Sequence, residues 1–347
     1  MRRVRIEGQQ GRGHRYLVPL LGVATLLAGV LVTGPAAQAT APGTNGRIAY
    51  SRYANLYFGS EDIVSANPDG TGVVKITRTR HGVYDENPDW SPDGSKIVFQ
   101  RDSDLSCGRA CIQGIYTVNP AGTQLTRLAL DNRDMYSADP AYSPDGTRIA
   151  FDACVGPLVN DLCTNAGIFV VSADGSNVTQ VTFEDPSSPY EEHEVQWSPD
   201  GTHFVFQRWR RSDGSTAIFT ATVDGTDFLQ LSPWELDGEH SDWSPDGSLI
   251  VFESYGSGPP AGVSTNVFTV RPDGTDLKQI TQNEGGAVNS TNPAWAPDGT
   301  HIVFAQSPGS GRFGFTDIYT MKADGSDIRQ ITSTVLFEKR PDWGSQS

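Results

Sequence analysis

Along most of the chain, short runs of β-branched and aromatic residues alternate with turns in which Asp or Asn stands near Gly. Apolar runs this short, bounded by Pro-Asp-Gly or Ala-Asp-Gly, predict β-hairpins, because glycine accepts the positive φ that other residues resist. One hairpin unit recurs as "NPDWSPDGSKIVFQ" from Asn87, "DPAYSPDGTRIAFD" from Asp139, "EVQWSPDGTHFVFQ" from Glu194, "HSDWSPDGSLIVFE" from His240 and "NPAWAPDGTHIVFA" from Asn292. Its aromatics Trp90, Tyr142, Trp197, Trp243 and Trp295 stand 52, 55, 46 and 52 residues apart. A second unit fills the intervals, from "DIVSANPDGTGVVKIT" at Asp62 to "DIYTMKADGSDIRQIT" at Asp317.

Two hairpins make a four-stranded sheet, and a period of about 50 residues with four strands is that of a propeller blade. One blade leaves apolar faces uncovered, so blades stack, and the recurrent aromatic is expected as core between them. Near the ends, "NGRIAYSR" (Asn45 to Arg52) reads as the back half of the first hairpin and "KRPDW" (Lys339 to Trp343) as a front half. Together they complete one blade. The expected fold is therefore all-β, a six-bladed β-propeller of four-stranded antiparallel blades, its ring closed by pairing of the N- and C-terminal strands.

The repeated "WSPDG" and "IVF" with "IYTMKADGSDIRQIT" resembles the TolB-type propeller with WD-like Pro-Asp repeats, in every blade from Asn45 to Trp343. The resemblance implies a propeller that binds a ligand or partner. TolB proper carries an α/β domain before its propeller, whereas only a short stretch separates the expected leader from the first strand here. Partner roles in the Tol envelope system are implied by the full family, and the propeller fold by itself does not imply them.

That leader is read from a basic start, an apolar run from Leu17 to Val32 and the small-x-small site Ala37-Gln38-Ala39. These mark a secretory signal peptide over 1–39 and a propeller over 40–347, too short an apolar run for a bilayer span. The expected location is secreted, or periplasmic and cell-envelope. Beyond residue 39 the chain carries 21 basic and 40 acidic residues. So acidic a surface excludes nucleic acid and suits solubility, cation binding or a basic protein partner. In an exported chain the pairs Cys107/Cys111 and Cys154/Cys163 are expected as local disulfides rather than a zinc site, since no histidine lies near either pair.

The "SPDG" and "ADGS" turns lack the alternating ligands of a calcium loop and are expected as turn geometry. Longer insertions (101–114, 152–167, 208–216, 254–265 and 306–316) fall on the opposite face, where binding is expected. Residues three before each aromatic, Asn87, Asp139, Glu194, His240, Asn292 and Arg340, should ring the channel mouth, with Glu86, His193, Glu239 and Lys339 four before. His193, His240 and Glu194 are the candidate ligands of a divalent metal, with Glu192 and Glu239 beside them. His203 and His301 are expected to face solvent. No Gly-x-Ser-x-Gly elbow, His-Glu-x-x-His helix or phosphate loop occurs.

The expected function is that of an exported, monomeric, non-catalytic propeller binding a protein, peptide or glycan at its loop-rich face. The alternative is a metal-assisted lyase or hydrolase of acidic polysaccharide, with Lys339 and Arg340 holding the anion.

Overall fold

The chain divides into Met1–Pro35 and Ala36–Ser347. A computed structural model describes residues 43–346 apart from 56, 58, 104–113, 129, 131–134, 156–157, 160–161, 164, 185, 255–263, 286–287 and 308–314. The side chains at 158, 159, 162 and 163 also lie outside the described residues.

The described residues are almost wholly strand and turn, with one 3-10 turn at Trp234–Leu236. The repeat at Tyr190 sets the pattern. Tyr190–Trp197 pairs with His203–Arg210, that strand with Thr216–Thr222, and the last with the two-residue strand Leu229–Gln230, all antiparallel. Four-stranded sheets of the same order begin at Met135–Tyr142, Gly238–Trp243 and Ser290–Trp295. An eight-stranded sheet joins two such sets through a single parallel contact, Glu61 to Tyr84. One of its sets has Glu338–Ser345 as first strand, paired antiparallel with Asn45–Tyr53, so distant ends of the described chain share a sheet.

The turn chemistry explains the recurring Ser-Pro-Asp-Gly. Ser91 Oγ donates to Asp93 Oδ1 at 2.7 Å and accepts from Lys96 N at 2.9 Å, while Asp93 Oδ1 takes Ser95 N at 3.0 Å. Ser143, Ser198 and Ser244 repeat this with Asp145, Asp200 and Asp246. Each Asp thereby organises its own turn backbone.

The core forms between sheets. Trp90 packs with Ile97 and Phe99 of its own hairpin and with Ala49, Ile63 and Ile76 of the preceding set. Trp197 does the same against Ala141, Ala150 and Ile168. His203 and His301, expected in solvent, are half-buried; the His301 ring lies 6.4 Å from that of Trp343. A residue following the turn therefore lids the next sheet's aromatic, as Arg148 does 4.6 Å over Trp197.

Cys107 and Cys111 fall outside the described residues. Cys154 ends a long strand, and Cys163 lies on a small ribbon in which Leu158–Val159 pairs with Leu162–Cys163.

The second turn of each repeat abuts its neighbour. Gly325 has φ +87°, and a Cβ there would collide with the Ile280 carbonyl of the preceding sheet. Gly285, at φ +71°, faces open space. Gly325→Ala is expected to lower unfolding free energy well beyond the roughly 1–2 kcal/mol of a left-handed alanine, and Gly285→Ala by about that amount alone. Denaturant titration compares them; equal losses would remove the inter-sheet contact as the cause.

Candidate functional site

The innermost strand of each repeat carries one residue with no glycine excuse for its backbone. Asn87, Asp139, Glu194, His240, Asn292 and Arg340 have φ of 54°, 47°, 57°, 48°, 52° and 52°. Each sits in a β-bulge: Glu86 pairs with Gln100 and Asp89 with Val98, so Asn87 and Pro88 together oppose Phe99. The same shift recurs in the other sheets. Bulges of this kind re-aim side chains, and here all six left-handed residues line one cavity of about 110 Å³.

The freed backbone N–H groups go to side chains of the preceding sheet. Asp139 N donates to Gln100 Oε1 at 3.0 Å, His240 N to Glu194 Oε2 at 3.0 Å and Arg340 N to Asn292 Oδ1 at 3.3 Å. Glu194 N reaches Asp152 Oδ1 at 3.4 Å, and Asn292 N donates to Glu253 Oε2. Gln100, Asp152 and Glu253 thus support the candidate site, and the sequence reading missed them. The signal was present, because each is the polar last residue of an otherwise apolar "IVFQ", "IAFD" or "IVFE" run.

Charge then links the same positions. Arg340 Nη1 lies 3.1 Å from Asp139 Oδ1 and 3.6 Å from Glu194 Oε1. His240 places Nε2 2.8 Å from Glu194 Oε1 and Nδ1 3.3 Å from Glu253 Oε1. Burial alone would discharge His240, but the Glu194 and Glu253 charges hold its pKa at about 10, so it is an imidazolium at neutral pH. Glu194 is drawn below the carboxylate range by His240 and Arg340 against the pull of its own burial. Asp139 goes the other way, pushed up by burial and by the Asp152 charge.

Of the residues expected at the mouth, Glu86, His193, Glu239 and Lys339 do not line the cavity. Lys339 Nζ instead bridges Glu86 Oε1 at 2.8 Å and the buried Glu61 Oε2 at 3.4 Å. His193 stands between Asp152 Oδ2 and Glu191 Oε2, each at 3.5 Å. Burial opposes its charge, but hydrogen bonds to these two carboxylates raise its pKa well above the ordinary value. The expected metal trio His193, His240 and Glu194 is not assembled. Among the described residues, the group whose ligand atoms lie within 4.8 Å of one another is Glu239, His240 and Glu253.

The cavity extends toward the tight turns, where Pro92, Pro297, Gly344 and Ser345 line it, and no described residue of the insertions does. A second tier of carboxylates lines it below the left-handed residues. Asp342 Oδ2 accepts from Trp90 N at 2.7 Å, Asp89 Oδ2 from Tyr142 N at 2.8 Å and Asp242 Oδ2 from Trp295 N at 2.7 Å. Burial raises the pKa of each, that of Asp242 from 3.8 to about 7.

Between those two values the folded protein holds a proton that the unfolded chain has released. The contribution of Asp242 is therefore full below pH 3.8 and lost as pH rises through about 7. Asp242→Asn keeps an acceptor for Trp295 N and removes the titration. Its melting temperature relative to wild type is expected to climb between about pH 4 and pH 8; a pH-independent offset would contradict a buried, protonated Asp242.

A family profile for the TolB beta propeller domain matches residues 71–261, more than half of the chain. The Tol-Pal system protein TolB of Anaeromyxobacter dehalogenans (strain 2CP-C) is 29% identical over 134 residues, 39% of this chain and 28% of that protein. The protein of the same name from Francisella tularensis subsp. mediasiatica is 23% identical over 308 residues, covering 86% of this chain and 62% of that one. The chain thus spans less than two thirds of either relative. The crystal structure of TolB from Acinetobacter baumannii superposes with a TM-score of 0.63 at 20% identity, over 87% of this chain and 67% of that one. Repeats, sheets and profile agree: the chain belongs to the TolB beta-propeller family.

Proposed function

We propose that the sheets close into a six-bladed ring through the Asn45–Tyr53 and Glu338–Ser345 pairing, and that the exported protein binds a basic protein segment in its central cavity without catalysis. The observation that carries this reading is the convergence of left-handed residues from every repeat on one polar cavity. Its walls set Asp89, Asp139, Glu194, Asp242 and Asp342 against only His240 and Arg340 among ionisable residues; burial favours the protonated form of the four Asp carboxyls while the cavity is empty, and a cationic guest would draw them into their charged form. The relatives named as Tol-Pal system proteins support a protein partner.

The guest enters from the side of the tight turns, because the lining reaches Pro92 and Pro297. This departs from the loop-rich face expected from the insertions. The Cys154–Cys163 bridge belongs to the same proposal, supported by the bonded state of Cys154. So does export after cleavage at Ala39, supported by the leader pattern of 1–39.

Trp90 and Trp343 line the cavity and serve as fluorescent reporters. Oligolysine peptide is expected to change their emission saturably, oligoglutamate not at all, and Asp342→Asn to weaken oligolysine binding by about tenfold or more. No saturable change, or an unaltered response in Asp342→Asn, would count against the cavity as the site. Deleting 339–347 removes the strand that pairs with Asn45–Tyr53. It should abolish the cooperative thermal transition, and an unchanged transition would sink the closed ring.

A further inference from the structure

Of the Glu239, His240 and Glu253 group, His240 lines the cavity of the proposed guest path, whereas Glu239 and Glu253 do not. Glu239 and Glu253 are directly paired across the hairpin of Gly238–Trp243 and Ile250–Ser254. Like charges placed opposite in a sheet repel; among the described residues the cation offsetting this pair is His240, beside Glu253, whereas the equivalent place in another repeat has a lysine. There, Glu86 is met by Lys339 Nζ at 2.8 Å. Among the described residues, no Lys or Arg makes a salt bridge with Glu239 or Glu253.

The three groups are also held in place before any ligand arrives. Glu253 is 1% exposed, and Asn292 N donates to its Oε2, leaving Oε1 turned to His240. The left-handed backbone of His240 fixes where its imidazole starts, and Glu194 Oε1 stands 2.8 Å from Nε2. Nδ1 and Nε2 are both buried and neither makes a hydrogen bond of acceptable geometry; Nδ1 is the one that faces Glu253 Oε1, at 3.3 Å. The Glu239 side chain is half-buried and makes no hydrogen bond or salt bridge among the described residues.

We propose that Glu239, Glu253 Oε1 and His240 Nδ1, whose proton the metal displaces, form a binding site for a divalent first-row transition metal. One imidazole nitrogen and two carboxylates suit Mn²⁺ through Zn²⁺ better than Mg²⁺ or Ca²⁺, which prefer oxygen alone. Glu194 behind Nε2 supplies the carboxylate–imidazole–metal arrangement that orients ligating histidines. Water completes the coordination.

The test uses tag-free full-length protein, stripped with chelator and titrated calorimetrically with ZnCl₂, MnCl₂ and CaCl₂ in turn. Wild type is expected to take one equivalent of Zn²⁺ or Mn²⁺. Glu239→Gln, which removes an unpaired group and so leaves the fold intact, is expected to lose at least about tenfold in affinity. Zn²⁺ should raise the melting temperature of wild type but not of Glu239→Gln. His203→Ala, on the strand His203–Arg210, should bind as wild type does. Equal binding by wild type and Glu239→Gln, loss of binding in His203→Ala, or no saturable transition-metal binding would overturn the site. Tighter Ca²⁺ than Zn²⁺ or Mn²⁺ binding would overturn the choice of metal. Because oligolysine binding reads the cavity and metal binding reads Glu239, either proposal can fail while the other stands.

Discussion

The left-handed residue on each innermost strand is the constraint on which the rest depends. A non-glycine residue in this conformation costs roughly 1–2 kcal/mol, and the chain adopts it in every repeat, from Asn87 to Arg340. At Asp139, Glu194, His240, Asn292 and Arg340 the conformation persists because the bulge turns the residue's N–H toward the preceding sheet, where Gln100, Asp152, Glu194, Glu253 or Asn292 receives it. Sheets are therefore joined beside the cavity by backbone-to-side-chain bonds as well as by the Trp contacts between them. Strain within a strand and adhesion between strands have one origin.

The same bulge decides the electrostatics. By spending an extra residue, it directs both the left-handed position and the carboxylate two residues later toward the cavity, as with Asn87 and Asp89 or His240 and Asp242. Carboxylates drawn so far from bulk water either find a cation or keep a proton. Glu194 takes the first course with His240 and Arg340, and Asp242 the second.

Repeat length, strand order, the inter-sheet role of Trp90 and Trp197 and the scaffold role of the Ser-Pro-Asp-Gly turns were legible in the sequence, because each rests on local pattern. The left-handed residues were legible as positions, being three before each aromatic, but not as a conformation. That gap explains the misplaced neighbours. The expected ring took both the third and the fourth residue before each aromatic, whereas Glu86, His193, Glu239 and Lys339 turn off the cavity while Asp89, Asp242 and Asp342, two residues after the left-handed positions, line it. The regrouping of His240 with Glu239 and Glu253 was hidden for the same reason: it depends on register across a hairpin, which the bulge shifts. Loop length guided the expected binding face, whereas the lining of the cavity follows the first strands of the repeats.

The pairing of Asn45–Tyr53 with Glu338–Ser345 has a consequence for how the molecule is made. Trp343 Nε1 reaches the carbonyl of Gly46 across 297 residues of sequence. During synthesis the first strand emerges long before the last, and its edge waits unpaired while the intervening repeats collapse one upon another. Contacts of such separation form slowly, and a waiting edge invites pairing with the wrong chain. Arg52, which meets Glu338 in the finished sheet at 3.7 Å, leaves a charge on that edge in the meantime. The residue that secures the seam thus also guards it against aggregation until the seam can form.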